Sequence, residues 1–287
     1  MTGELNAKKK DTRSLLQKYA AAPHILWAVL FIVAPLIFVL YYAFTDANGV
    51  FTWVNVANFF TPTYLKIFFR SLKLAIIATA ICLLIGYPIA YFISRCKPKT
   101  QRILIMLLML PMWMNFLIRT YAIMVLIQDT GIINSILMNL GIIKEPLHML
   151  GTEGAVILGM VYDYLPYMIL PIYSVMSKLD YRLVEAAADL GCNGFGVLRK
   201  VILPLSLSGV ISGVTMVLVP SISTFYISQK LGDVDTLMIG DVIEQQYNAS
   251  NYNMTASLSL VLMLILLIGL AIVNHYSDGD DEGGMMP

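Results

Sequence analysis

The stretch KLDYRLVEAAADLGCNGFGVLRKVILPL, residues 178–205, is a polar segment between two long apolar ones. Its leucines and alanines recur at i, i+4, i+7, i+8 and i+11, a spacing that predicts one apolar face of a short helix. These residues are Leu179, Leu183, Ala186, Ala187 and Leu190. Asp180 precedes this helix, where a carboxylate favours the helix dipole. Gly191 follows it and can adopt the left-handed conformation that ends helices.

A helix of this length is marginal alone in water, so its apolar face needs a cover. The cover could be the membrane surface, the protein's own helices or a partner protein. Pro204 lies near the start of the next apolar segment, a position at which helices tolerate proline.

The sequence around this loop has the composition of a membrane protein. Apolar residues make up 58% of the 287 residues and charged residues 13%, against about half and about a quarter in soluble domains. Six apolar stretches have the length of about 20 residues that a bilayer requires. They lie near 24–44, 71–94, 103–127, 154–177, 203–228 and 256–276. The sequence therefore predicts an all-α, polytopic membrane protein with six transmembrane helices over 24–276.

The distribution of lysine and arginine predicts the orientation of these helices. With the N-terminus inside, the basic segment 1–23 holds five, the loop between spans 2 and 3 four, and the loop 178–204 four of the 19 basic residues. Basic residues concentrate in cytoplasmic loops. We therefore expect both termini, including the acidic tail 277–287, to be cytoplasmic. The first apolar stretch is too long for a signal peptide, so we expect a retained helix.

No motif in the chain predicts catalysis or a bound cofactor. We find no phosphate-binding loop, no HExxH and no GxSxG sequence. The three cysteines, Cys82, Cys96 and Cys192, have neither metal-ligand spacing nor a disulfide pattern. We predict that the chain is not an enzyme and that it binds no metal.

The loop resembles the EAA loop of ABC importer permeases. The match consists of Glu185-Ala186-Ala187, three residues, Gly191, nine residues, and then Val201-x-Leu203-Pro204, with valine where the family usually has isoleucine. The resemblance implies the type I (MetI-like) permease fold and a loop that docks into a separate ATPase subunit, which binds ATP and Mg²⁺. It makes Glu185 the polar anchor and Gly191 the turn. The coupling residues that it implies are Leu183, Glu185, Ala186, Ala187, Gly191, Leu203 and Pro204.

Three further motifs are similar to the permeases of spermidine/putrescine importers. They are PMWMNFLIRTY at 111–121, VYDYLPY at 161–167 and LGDVDTLMIGDVI at 231–243. This resemblance implies a bacterial inner-membrane assembly with a sister permease, two ATPase subunits and an extracytoplasmic polyamine-binding protein, and no nucleic acid. The alternatives are the same machine carrying iron, phosphonate or an amino acid, an ion-coupled secondary transporter, and a membrane enzyme, for which no motif is present.

Two ionisable residues fall deep inside the predicted spans. At 1.5 Å per residue, Arg119 and Asp163 lie about 12 and about 13 Å from the outer ends of spans 3 and 4. Such residues face protein or a water-filled cavity. Their matching depths allow an ion pair. Alternatively, Asp163 contacts a substrate ammonium, or it alternates between the two.

Aromatic side chains near this depth are candidates for a path that attracts ammonium groups by cation–π contacts. Each of them could instead serve only for packing or as an interface anchor. The candidate path residues are Asp163, Tyr164, Tyr162, Trp113, Arg119, Phe225 and Tyr226.

Overall fold

The computed structural model describes residues 22–180 and 182–282, with side chains for 23–180 and 182–273. The basic segment before residue 22, Tyr181 and the last five residues lie outside the described part. Within it, the only β pairing is an isolated bridge between Thr45 and Phe51. The helices are α1 (Pro23–Ala43), α2 (Val54–Phe59), α3 (Pro62–Arg95), α4 (Pro98–Trp113), α5 (Phe116–Ile127), α6 (Ile132–Asn139), α7 (Glu153–Met176), α8 (Arg182–Asp189), α9 (Gly194–Leu205), α10 (Leu207–Ser223), α11 (Tyr226–Leu231), α12 (Ile239–Asn248) and α13 (Tyr252–Glu282).

Up to six membrane spans are present among the described residues. Five helical segments are long and apolar enough to cross a bilayer, and the bent pair α9–α10 makes a sixth if it is counted as one span. The five are Pro23–Ala43, Pro62–Arg95, Phe116–Asn139, Glu153–Met176 and Tyr252–Val273. The prediction of an all-α polytopic membrane protein is confirmed.

The third predicted span, 103–127, is broken in the structure, so the prediction of one continuous helix there is wrong. α4 ends at Trp113, Met114 is extended (φ −75°, ψ 150°), and α5 begins at Phe116. The side chain of Asn115 accepts a hydrogen bond from the Leu117 amide at 2.8 Å and so caps α5. Hydropathy does not detect such a cap, because the residues on both sides of it are apolar.

The fifth predicted span, 203–228, differs from the structure at both ends. Its start is a bend of 68° between α9 and α10 at Ser206. Pro204 lies two residues before the bend, where its missing amide weakens the helix. The helix stops at Ser223, and α11 begins separately at Tyr226.

Among the described residues, those from 22 to Phe60 and Gln246–Met263 form one compact unit, and the rest form a second. In the first unit, Asn55 and Asn253 both donate side-chain hydrogen bonds to the carbonyl of Thr45, at 2.8 and 2.6 Å. Every predicted coupling and path residue lies in the second unit.

In the second unit, α7 packs between α3 and α10. Small residues on the flanking helices allow this close approach, as in other membrane helix pairs. A Cβ atom on Gly86 of α3 would lie 3.1 Å from Met168 Cγ, and one on Gly213 of α10 would lie 3.0 Å from the Met168 carbonyl oxygen. Gly209 brings α10 equally close to the Pro171 carbonyl. The core of this unit is therefore built around the fully buried Met168.

We expect Gly213→Val to destabilise the second unit by roughly 1–3 kcal/mol, because the added methyl groups would overlap the α7 backbone. The matched control is Gly269→Val in α13, where a Cβ atom would meet nothing within 4 Å. The midpoint of thermal aggregation of the detergent-solubilised protein should fall for Gly213→Val and stay unchanged for Gly269→Val. Equal midpoints for the two variants would contradict this packing.

Candidate functional site

The loop after α7 folds as the sequence predicts. An oxygen of the Asp180 carboxylate accepts a hydrogen bond from the Arg182 amide at 3.0 Å at the start of α8. At its end, Gly191 has φ +85°. The amides of Gly191 and Cys192 donate to the carbonyls of Ala188 and Ala187, at 2.9 and 3.1 Å. This pair of hydrogen bonds is a Schellman motif, in which the left-handed residue is usually glycine.

The exposed side of α8 differs from the single apolar face that the sequence predicts. Ala187 is buried and, with the partly buried Val184, packs against the core of the second unit. Leu183, Glu185 and Ala186 are exposed, and so is Leu190, at 86%. The helix thus has an inner side covered by the protein itself and an outer side that carries both Glu185 and exposed leucines.

A short turn at 190–193 connects α8 to the bent pair α9–α10. The side chain of Asn193 caps α9 by accepting a hydrogen bond from the Gly196 amide at 2.8 Å. α9 anchors itself through the buried Val197 and Ile202, whereas Leu203 and Pro204 are exposed. An apolar cavity of about 520 Å³ separates α3 from α8 and α9. α9 is thus the element that joins α8 to α10.

Arg119 and Asp163 form the ion pair that their depths allow. The guanidinium Nε lies 3.2 Å from Oδ1 of the carboxylate, and the two side chains are 7% and 1% exposed. α5 and α7 carry these residues, so the pair joins the two helices. Neither oxygen of Asp163 accepts a hydrogen bond of good geometry from a described residue. Buried carboxylates normally do accept such bonds, so Asp163 retains the capacity to accept one.

Aromatic rings extend from this ion pair towards α11. The Arg119 guanidinium lies 5.9 Å from the centre of the Phe116 ring, which lies 5.9 Å from the ring of Tyr226. The Tyr226 ring in turn lies 6.2 Å from that of Tyr121. The Lys230 ammonium lies 5.4 and 5.6 Å from the centres of the Tyr121 and Tyr226 rings. The structure thus adds Phe116 and Lys230 to the predicted site.

The other predicted path residues are placed differently. Tyr164 is buried in the core of the second unit. Tyr162 and Phe225 are exposed, and Trp113, beside the break after α4, is 73% exposed. The structure therefore groups Arg119, Asp163 and Tyr226 through Phe116, and leaves Trp113, Tyr162 and Phe225 on the surface of the chain.

The motif at 231–243 holds α11 in place. The Arg70 guanidinium donates to the carbonyls of Asp235 and Leu237, and the Ser71 hydroxyl accepts a hydrogen bond from the Ile239 amide at 2.8 Å. On the other side, Gly159 of α7 leaves room for α11, because a Cβ atom there would meet Ile227 at 2.8 Å and would also meet Leu231. Arg70 and Ser71 were missed from the sequence, because their partners lie more than 160 residues away in the chain.

Asp241 fastens the same segment. Its carboxylate is fully buried and accepts hydrogen bonds from the Met238 amide at 2.6 Å and from the Ser228 hydroxyl at 3.0 Å. Burial raises the pKa of Asp241 to about 6, and the two hydrogen bonds oppose this rise. Burial thus costs the ionised carboxylate more than these two hydrogen bonds return, so Asp241 stabilises the segment more at a pH below 6 than above it.

Residues 83–278 match the family described as the binding-protein-dependent transport system inner membrane component. The spermidine/putrescine transport system permease protein PotB of Haemophilus influenzae is 41% identical over 268 residues, covering 90% of this chain and 94% of that protein. PotB of Escherichia coli K12 is 35% identical, covering 86% of this chain and 92% of that protein.

A solved structure has the same fold. It is a bacterial alginate ABC transporter in complex with an alginate pentasaccharide-bound periplasmic protein. One of its chains aligns with a TM-score of 0.75 at 16% identity, covering 94% of this chain and 96% of that one. The apolar helices, the α7–α8 loop and these similarities agree: the chain belongs to the family of inner membrane components of binding-protein-dependent transport systems, the multi-pass permeases of ABC importers.

Proposed function

We propose that this permease carries polyamines, and that it does so as one half of a translocation path in an ATP-driven importer. The observation that carries the proposal is the similarity over nearly the whole chain to permeases named for spermidine and putrescine. The aligned regions of those relatives are long enough to include the Arg119–Asp163 pair, the α7–α8 loop and the 231–243 segment.

The charge and the ring faces at the site fit a polyamine. A polyamine is a flexible chain of ammonium groups, which a carboxylate and aromatic faces attract without imposing one geometry. Asp163 supplies a buried carboxylate that retains hydrogen-bonding capacity, and Phe116, Tyr121 and Tyr226 supply the rings. An ammonium group that displaced Arg119 would restore the hydrogen bonds that Asp163 lacks.

The outer side of α8 fits a docking surface for a separate ATPase subunit. It is a short helix with exposed leucines around Glu185, the kind of surface that lies in a groove of a partner. The positive-inside rule supports a cytoplasmic position for this loop and for both termini. The partner subunits would bind ATP and Mg²⁺ and hydrolyse the nucleotide. A sister permease would complete the path, and an extracytoplasmic binding protein would deliver the substrate.

The proposal is tested in proteoliposomes that contain this chain, its sister permease and the ATPase, with ATP inside and the binding protein outside. We expect uptake of labelled spermidine that requires both ATP and the ATPase subunit. Uptake driven by an ion gradient without the ATPase would show a secondary transporter instead. ATP-dependent uptake of iron, phosphonate or an amino acid in place of spermidine would reject the polyamine assignment and keep the ABC importer.

Gly191→Pro should abolish coupling, because proline cannot adopt φ +85° and would destroy the end of α8. Gly194→Pro is the matched control, since it lies at the first position of α9, where proline is tolerated and where the preceding Asn193 is extended. We expect ATP-dependent uptake to fall at least about tenfold for Gly191→Pro, a loss of about 1.4 kcal/mol, and to persist for Gly194→Pro. Normal uptake by both variants would contradict the assignment of α8 to coupling.

Asp163→Asn leaves the buried Arg119 without a counter-charge, which is expected to destabilise the bundle by about 3–5 kcal/mol. The double variant Arg119→Gln/Asp163→Asn removes both charges and should recover assembly with the partner subunits. If Asp163 contacts the substrate ammonium, uptake by the double variant stays low although the complex assembles. A double variant that transports spermidine like the unmodified importer would mean that the pair only holds helices together.

A further inference from the structure

Lys230 takes part neither in the α7–α8 loop nor in the Arg119–Asp163 pair. Its ammonium lies within 6 Å of two ring centres, Tyr121 of α5 and Tyr226 of α11. Among the described side chains, no carboxylate lies within ion-pair distance of it. The partners of this charge are therefore the two tyrosines: the ammonium lies beside both rings and also hydrogen-bonds to the Tyr121 side chain.

 

The rings of Tyr121 and Tyr226 meet edge to face, with 75° between their planes and 6.2 Å between their centroids. This edge-to-face arrangement leaves a corner in which one cation can contact both rings. The rings belong to different elements, because Tyr121 lies on α5 and Tyr226 opens α11. The Ser228 hydroxyl of α11 donates to Asp241, and Arg70 holds the segment that follows α11, so the corner is supported from outside the two residues that form it.

We propose that Tyr121 and Tyr226 form a binding site for an organic ammonium group, and that Lys230 is its tethered occupant in this conformation. The inference rests on the proposed function in one respect, since a polyamine would be the ammonium that displaces Lys230. A tethered ammonium has a high effective concentration at the rings, so a free amine reaches them only when Lys230 leaves. Lys230 would thus hold the site against small monovalent amines and yield it to a polyvalent one.

The tyrosine pair is linked to the Arg119–Asp163 pair through Phe116. Phe116 contacts Tyr226 on one side and the Arg119 guanidinium on the other. In this conformation a cationic side chain of the protein occupies each position that would attract a substrate ammonium: Arg119 lies at Asp163, and Lys230 lies at the tyrosine pair. Both cations would have to be displaced as the substrate passes.

The test measures binding of tetramethylammonium to the assembled importer in nanodiscs, by titration calorimetry and without the binding protein. Lys230→Gln frees the two rings, and two cation–π contacts at partly exposed rings correspond to about five- to thirtyfold in the dissociation constant. We expect Lys230→Gln to bind tetramethylammonium at least about fivefold more tightly than the unmodified importer. Lys230→Arg keeps a cation at the rings and should show no gain.

A second substitution ties the gain to the rings. Adding Tyr226→Ala to Lys230→Gln should remove the gain, and thermal melting without ligand reports whether each variant is folded. A folded Lys230→Gln importer that binds no more tightly than the unmodified one overturns the proposal, as does a gain that survives Tyr226→Ala. Because the readout needs no transported substrate, a gain in binding without spermidine uptake would reject the proposed function and retain this site.

Discussion

The ion pair between Arg119 and Asp163 is the constraint around which the second unit is arranged. A charge at this depth in a membrane protein has to face a partner or a cavity, and here each residue is the partner of the other. The pair requires α5 to lie against α7, and α11 packs on both of these helices. Glycines then let α3, α10 and α11 approach α7 and close the core around Met168.

The pair is also incomplete, and this links packing to transport. The Asp163 carboxylate faces Arg119 but accepts no well-formed hydrogen bond from a described residue. A pair of this kind holds two helices together and can still exchange one cation for another. Another cation can likewise replace Lys230 beside the rings of Tyr121 and Tyr226. α9 and the bend at Ser206 join α8 to α10, so a partner docked on α8 could change the arrangement of α10 beside α7.

Local and compositional features could be predicted from the sequence, and long-range ones could not. The start of α8 at Asp180 and its end at Gly191 depend on residues adjacent in the chain. The residue types at these positions were therefore enough to predict both ends. The matching depths of Arg119 and Asp163 allowed an ion pair but did not decide between it and a contact of Asp163 with substrate. The break at Asn115 was missed because a side-chain cap has no hydropathy signature. The inward side of Ala187 and the hydrogen bonds of Arg70 depend on neighbours that only the folded chain brings near.

The most direct test of the account is a structure of the complete importer trapped with spermidine in the membrane path. The account predicts an amine nitrogen at hydrogen-bond distance, about 3 Å, from the Asp163 carboxylate, with the Arg119 guanidinium moved away from it. A substrate-bound structure in which Asp163 keeps Arg119 at the same distance, with no amine nitrogen in contact with either residue, would contradict it.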